Sequence, residues 1–301
     1  MNRLLITGAT GFLGLPCVAR ASEIAFAVHA MARNIREPMG VPFHSVDLFD
    51  ANGVSEILAA VQPTHLLHLA WIAVPGVYWT SPENHAWVEA SKHLLNAFAR
   101  YGGERAVIAG TCAEYDWMTA GACREFETPI RPTTLYGKCK NELREWAEVF
   151  GLENDVNVAW ARLFFLYGPR EHPARLVPSV ARALLAGTPA ECSSGTQRRD
   201  FLHTDDLADA LVSLVQSNIT GPVNVGTGKP FSVREVIEQV AMVCGRPDLV
   251  RLGVRPTSPT EPPLLVADVT RLRDELGWQP QIALEDGLRE TVNWWRLRHA
   301  A

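Results

Sequence analysis

Gly8-Ala9-Thr10-Gly11-Phe12-Leu13-Gly14 decides the fold. The three glycines, spaced G-x-x-G-x-x-G, follow the apolar run Arg3-Leu4-Leu5-Ile6-Thr7 and precede a helical pattern that begins at Phe12. A strand that turns on glycines into a helix suits a phosphate group. The missing side chains let the backbone approach the anion, and the helix N-terminus supplies free N–H donors and positive potential. Glycine spacing alone also fits an ordinary tight turn. Its place between the first strand and the first helix points to a nucleotide site, with Gly8, Gly11, Phe12, Leu13 and Gly14 against the phosphates.

Outward from the loop, short apolar runs alternate with helical patterns through the first half of the chain, which predicts an α/β fold with a doubly wound parallel sheet. Strands are expected at Arg3 to Thr7, Ala27 to Ala32, Phe43 to Val46, His65 to Leu69, Ala106 to Gly110 and Val156 to Phe164. Helices are expected at Phe12 to Arg20, near Val54 to Val61, at Asn84 to Tyr101 and at Thr134 to Phe150. From Tyr167 onward the alternation breaks up and prolines and glycines multiply, as in Tyr167-Gly168-Pro169 and Thr257 to Pro263. That predicts a smaller second domain woven from several later segments.

A chain of 301 residues, 47% hydrophobic and 20% charged, is ordinary for a soluble globular protein with a sizeable core. The formal net charge of -5 argues against a nucleic-acid-binding surface. No apolar run approaches the length that spans a bilayer, and the N-terminal apolar stretch is too short for a signal peptide, so a cytoplasmic location is expected. The cysteines at 17, 112, 123, 139, 192 and 244 show no metal-ligand spacing and read as free thiols, with no metal site expected.

Tyr136 and Lys140 lie four residues apart in a helical pattern, so the phenol and the ammonium share a face. A nearby cation favours the phenolate and pulls a phenol pKa toward neutrality, which suits proton transfer at a carbinol or carbonyl carbon. Thr111, four residues before a second tyrosine, Tyr115, strengthens that reading. The second strand ends Met31-Ala32-Arg33, where an acidic residue would hold a ribose hydroxyl. Arg33 would instead pair with a 2′-phosphate, a preference of about ten- to a hundredfold for NADP(H) over NAD(H). Asp47 follows the third strand, placed either to meet the adenine amino group or to start a turn or helix.

These residues together resemble the extended short-chain dehydrogenase/reductases of the nucleotide-sugar epimerase/dehydratase group. The likeness runs nearly end to end. It includes the Thr7 to Gly14 loop, Asp47-Leu48, His68-Leu69-Ala70, Thr111 to Tyr115 and Tyr136 to Lys140. Further on it includes Arg162 to Pro169, Arg199 to Asp206, Asn224-Val225-Gly226 and Leu276-Gly277-Trp278. The resemblance implies a Rossmann domain over 1–165 plus about 204–226, with residues 166–203 and 227–301 forming an interleaved substrate domain. It implies Thr111 on the reacting oxygen, Tyr136 as proton donor or acceptor, and Lys140 on Tyr136 and the cofactor ribose. Asp47, Leu48, Leu69 and Ala70 become further cofactor contacts. Arg199 and Arg255 become contacts for the diphosphate of a nucleotide-diphosphate sugar, Arg199 having an ion pair with Asp200 or Asp205 as its alternative. The helices near Asn84 to Tyr101 and Thr134 to Phe150 fall where relatives form a homodimer.

Departures from the family pattern narrow the expectation. The 4,6-dehydratases of the family carry an Asp-Glu pair just after the threonine; here Cys112-Ala113 stand there, with Glu114 one place later. Phe165 and Trp87 stand where relatives carry asparagine. Trp71, Tyr78 and Trp79 fall beyond the fourth strand, as packing or as walls for the hexose or its base. His68 and His203 read as packed residues. The expected activity is NADPH-dependent reduction of a dTDP- or GDP-linked 4-keto-6-deoxyhexose, with an NAD-dependent nucleotide-sugar 4-epimerase as the rival and a non-catalytic cofactor sensor behind both.

Overall fold

The computed structural model describes residues 2–24, 26–35, 38–119, 121–256 and 261–299. Of the stretch Thr257 to Pro263, residues 257–260 lie outside the described residues. The chain begins with β1 (Arg3–Thr7), α1 (Gly14–Ala21), β2 (Ala27–Ala32), β3 (Phe43–Ser45), α2 (Ala51–Val61) and β4 (His65–His68). It continues with α3 (Glu83–Arg100), β5 (Arg105–Thr111), α4 (Leu135–Asn154), β6 (Asn157–Leu163), β7 (Phe165–Tyr167) and α5 (Leu176–Leu185). Then come β8 (Ala190–Glu191), β9 (Arg198–His203), α6 (Thr204–Gln216), β10 (Gly221–Val225), β11 (Pro230–Ser232), α7 (Val233–Cys244), β12 (Val250–Arg251), β13 (Leu264–Leu265) and α8 (Leu284–His299).

Seven strands form one parallel sheet in the order β10-β6-β5-β4-β1-β2-β3. Successive side chains of β1 feed opposite faces, as strand pleating requires. Leu4 and Ile6 pack with Cys17 of α1 and Leu207 and Leu211 of α6. Leu5 packs with Leu58 of α2, Leu94 and Phe98 of α3 and Leu143 of α4. Burial on both faces is why the early strands read as continuous apolar runs. The strand order reverses between β1 and β4, which opens a crevice beyond their carboxyl ends, where Thr7 pairs in register with His68.

Helix limits follow their caps. The helix α1 starts at Gly14, two residues later than the sequence suggests, because Gly11 to Leu13 complete the glycine turn. Asp50 starts α2 by accepting from the Gly53 N–H at 3.1 Å. Thr134 starts α4 by accepting from the Gly137 N–H at 3.0 Å, and the helix runs past Phe150 until Asp155 turns left-handed at φ 55°.

The later segments build a small sheet in which β9 pairs with β7, β11 and β13. Helices α5, α7 and α8 bury Val180, Val236, Ile237 and Leu288 against Tyr167 and Phe201. The segment β9–α6 joins the two cores, with His203 capping α6 by accepting from the Asp205 N–H. Among the described residues no helix is long and apolar enough to cross a membrane.

Candidate active site

The glycine loop lies against the end of β4 with no room for side chains. Gly8 has φ +67°, and a Cβ there would lie 2.9 Å from the Ala70 nitrogen. A Cβ on Gly14 would collide with the Gly8 carbonyl oxygen. Thr7 fixes the seam: its hydroxyl accepts from the N–H groups of Leu69 at 3.2 Å and Ala70 at 3.3 Å. With those donors satisfied, the Thr7 hydroxyl proton goes to His68 Nδ1 at 2.7 Å. His68 Nε2 then donates to Ser91 Oγ at 2.9 Å, and Ser91 donates to the Trp87 carbonyl. Burial pushes the His68 pKa down to about 3, so this histidine is a neutral strut. The side-chain-free cradle at the N-terminus of α1, with no side-chain cap at Leu13, fits the pyrophosphate of a dinucleotide.

Around the cradle, Phe12 and Leu13 are half-buried and Leu48 is buried. Arg33 is exposed one residue past β2. Asp47 is a turn residue whose carboxylate accepts from the Phe49 N–H at 3.1 Å, while Asp50 is the helix cap.

Thr111 ends β5 and Tyr136 opens α4, and the Thr111 hydroxyl is a neighbour that acts on the Tyr136 phenol. The Tyr136 ring is held edge-on by Tyr78, with centroids 4.9 Å apart, and by Trp79 at 5.7 Å. Its backbone N–H donates to the Trp79 carbonyl at 3.2 Å. Asn84 shapes that aromatic loop. Its amide donates to the carbonyls of Tyr78 and Ser81 and accepts from the Trp71 indole at 2.8 Å. The sequence reading passed over Asn84, although a buried asparagine at the head of a helix is the residue type that ties a loop down. Trp87 is packing: it lies against Phe49 and Trp71 and donates to Glu83.

The expected influence of Lys140 on Tyr136 needs correction. Burial is the largest influence on the Tyr136 phenol and raises its pKa, while the Thr111 hydroxyl is the neighbour that lowers it. Lys140 shares the helix face, but its ammonium donates to the Ala109 carbonyl at 2.8 Å and sits 3.8 Å from the centre of the Trp71 ring. Burial pushes the Lys140 pKa down to about 7. Tyr136 is therefore a protonated phenol at neutral pH.

Glu114 is taken up by the protein beneath this site. Fully buried, it accepts from Arg162 Nε at 2.8 Å, the Trp160 indole at 2.9 Å and the Thr111 N–H at 2.9 Å. Arg162 also donates to the Tyr115 hydroxyl, which donates to Asn224 Oδ1 at 2.7 Å. The second tyrosine thus belongs to a structural network beneath Thr111.

Arg199 is buried on β9 and pairs with Glu261 at 2.8 Å, so Asp200 and Asp205, the alternative to a substrate contact, are not its partners. Asp200 is committed elsewhere, accepting from the N–H groups of Thr227, Gly228 and Ala267. Phe165 lies under the Arg199 guanidinium at 5.4 Å. Arg255 is exposed, and its backbone N–H donates to the Cys192 carbonyl. The six cysteines are free.

With a glycine cradle at the switch point and a Thr-Tyr-Lys set beside it, residues 4–226 match the profile of the NAD dependent epimerase/dehydratase family. The chain belongs to this family. It is 29% identical to a UDP-glucose 4-epimerase of Mycolicibacterium smegmatis over 322 aligned positions, which cover 98% of each chain. It is 26% identical to UDP-glucuronic acid decarboxylase 3 of Arabidopsis thaliana, across 98% of this chain and 90% of the relative. Among solved structures, MoeE5 in complex with UDP-glucose and NAD is 30% identical, with a TM-score of 0.85 and full coverage of both chains, 100% each. The UDP-glucose 4-epimerase of Thermus thermophilus in complex with NAD is 28% identical with a TM-score of 0.86, across 98% of this chain and 99% of the other.

Proposed function

We propose that this family member works at carbon 4 of a nucleotide-linked hexose, with NADPH-dependent reduction of a 4-keto-6-deoxyhexose as its net reaction. The observation that carries the reading is the pairing of Thr111 with a protonated Tyr136, beside which Glu114 is locked to Arg162. A dehydratase needs carboxyl groups facing the sugar, and Glu114, three residues after the threonine, is already committed to an ion pair. A ketone reductase needs a proton donor, and Tyr136 is one.

The nicotinamide, when bound, supplies the hydride that reaches the carbonyl carbon. Thr111 holds the carbonyl oxygen as the negative charge develops. Tyr136 gives its proton to that oxygen, and the resulting phenolate is reprotonated from solvent. Arg33, exposed at the end of β2, suits a 2′-phosphate and hence NADPH. Residues 166–203 and 227–301 form the substrate half in this reading. Arg199 reaches a substrate diphosphate there only on release from Glu261, and Arg255 is a surface contact. A homodimer through α3 and α4 belongs to the same reading, with Val149 and Leu152 exposed on α4.

The relatives favour a second reading, an NAD-dependent nucleotide-sugar 4-epimerase that uses the same three residues and returns the hydride to the opposite face. The deciding experiment supplies NADPH or NADH with dTDP- and GDP-4-keto-6-deoxyhexoses, and separately UDP-glucose. Cofactor oxidation with a keto sugar supports the reductase. Interconversion of UDP-glucose and UDP-galactose with no net cofactor change replaces it with the epimerase, and silence in both arms sinks both in favour of a cofactor sensor.

A further inference from the structure

His203 closes β9 and caps α6, its Nδ1 accepting from the Asp205 N–H at 3.3 Å. The ring is wholly buried and held on two sides. Tyr167 meets it edge-on with centroids 5.3 Å apart. The helix α8 runs hard against it, since a Cβ on Gly287 would lie 2.9 Å from His203 Cδ2. The other ring nitrogen, Nε2, is buried with no hydrogen-bond partner. Its nearest carboxylate is Glu290, one turn along α8 from Gly287, with Oε2 at 3.9 Å.

That distance suits neither a hydrogen bond nor a bridging water. A ring N–H reaches an oxygen at up to about 3.2 Å, and a water bonded to both atoms needs them about 4.5 Å apart or more. A zinc ion held by imidazole nitrogen and carboxylate oxygen at about 2.0–2.2 Å sets tetrahedral neighbours about 3.4 Å apart. Asp205 supplies a third group. One ligand atom from each of His203, Asp205 and Glu290 lies within 4.8 Å of the other two, the one such gathering of three among the described residues. The Asp205 and Glu290 side chains are half exposed and line a cleft of about 440 Å³ together with Leu15, Pro38, Pro169 and Trp294, which gives an ion a way in. Arg170 lines the same cleft and brings one positive charge against the two carboxylates. The positive end of the α6 dipole also disfavours a cation, which Asp205 and Asp206 in its first turn counter.

We propose that His203, Asp205 and Glu290 form a site for a divalent cation of the zinc type, which clamps α8 to the β9–α6 segment where the two cores join. An imidazole nitrogen among the ligands favours zinc over magnesium or calcium. Three protein ligands leave a fourth position open to water from the cleft. Coordination at Nε2 moves the single ring proton to Nδ1, and the long cap bond from the Asp205 N–H is given up. Asp205 Oδ2, 4.0 Å from Nδ1, is the carboxylate placed to accept from that proton, as partners of metal-bound histidines do. The neutral ring thus releases no net proton. The cysteine spacing that argues against a metal does not bear on this cluster, and Glu290 is too far along the chain from His203 and Asp205 to show as a motif. The proposal is independent of the nucleotide-sugar reading.

Calorimetric titration and thermal unfolding of the full chain, first stripped with EDTA, test it without requiring turnover. Zn²⁺ is expected to bind at one equivalent per chain and to raise the unfolding midpoint progressively with its concentration. Mg²⁺ is expected to leave the midpoint where it was. Glu290→Gln should weaken Zn²⁺ binding by at least about ten- to a hundredfold, since even the outer partners of metal ligands carry that much. His203→Asn keeps a cap for α6 but removes the imidazole, and should abolish the metal-dependent rise. Should His203→Asn fail to fold, Glu290→Gln, changed at a half-exposed side chain, decides alone. Wild-type Zn²⁺ affinity in Glu290→Gln, or an equal rise with Mg²⁺, overturns the proposal. So does an absence of stoichiometric Zn²⁺ binding to the wild type, which leaves Glu290 as no more than a counter-charge for His203.

Discussion

The Glu114 carboxylate and the Arg162 guanidinium meet 2.8 Å apart in a fully buried floor directly beneath Thr111. The same carboxylate accepts the Thr111 N–H, so the ion pair sets the position of the hydroxyl that faces Tyr136. Glu114→Ala leaves Arg162 as an uncompensated buried charge. The expected cost is about 3–5 kcal/mol of stability, read as a lower midpoint in urea unfolding. Glu114→Gln keeps the shape and some hydrogen bonding, and should recover part of the loss. An unchanged midpoint for Glu114→Ala would show that the pair does not hold the floor.

Tyr136→Phe removes the proton donor and leaves the ring between Tyr78 and Trp79. Turnover is expected to fall about a hundred- to ten-thousandfold, while dinucleotide binding, followed by quenching of tryptophan fluorescence, stays near the wild-type value. Thr111→Val removes the partner hydroxyl and should lower kcat more than it raises KM. Turnover in Tyr136→Phe within a factor of two of the wild type would remove the tyrosine from the mechanism.

The parts of the molecule legible in the sequence are those governed by near neighbours along the chain. The glycine turn, the two-faced apolar strand Arg3–Thr7 and the cap Thr134 each declare themselves within a few residues. The destinations of long side chains do not. Lys140 is claimed by the Ala109 carbonyl and the Trp71 ring, and Arg199 by Glu261, all distant in sequence. Glu114 illustrates the limit: the sequence shows that it misses the dehydratase position, but its burial against Arg162 and Trp160 needs β5 and β6 side by side. In the same way, residues 176–185 and 233–244 carry helical amphipathicity, yet α5 and α7 find their common core only across the small sheet.

Arg33 leaves the second strand exposed, with the Ser45 hydroxyl bonded to its carbonyl and its guanidinium free of any described acid. A 2′-phosphate would gain a charge-assisted bond there. Arg33→Ala is expected to lower the NADPH-to-NADH ratio of kcat/KM by about ten- to a hundredfold, chiefly through KM for NADPH. A ratio unaffected by the substitution would assign the cofactor choice to other residues and leave Arg33 as a solvated surface charge.

Lys140 carries a pH dependence whose sign follows from its burial. Its ordinary value is 10.5 and burial lowers it to about 7 in the folded chain, so between those values the unfolded chain binds more protons. Stability therefore rises with pH through that window, because the folded state is relieved of a buried ammonium. Below about 7 the ammonium is charged in both states and its full desolvation cost remains. The Tyr136 phenol, with its pKa raised above 10.0, works in the opposite direction only at more alkaline pH. Lys140→Met keeps most of the volume without the charge. At pH 7 it should be more stable than the wild type, and it should lose the rise between pH 7 and 10, while losing turnover. Thermal unfolding of both proteins across that range checks the point, and parallel curves would show that Lys140 titrates as an ordinary lysine.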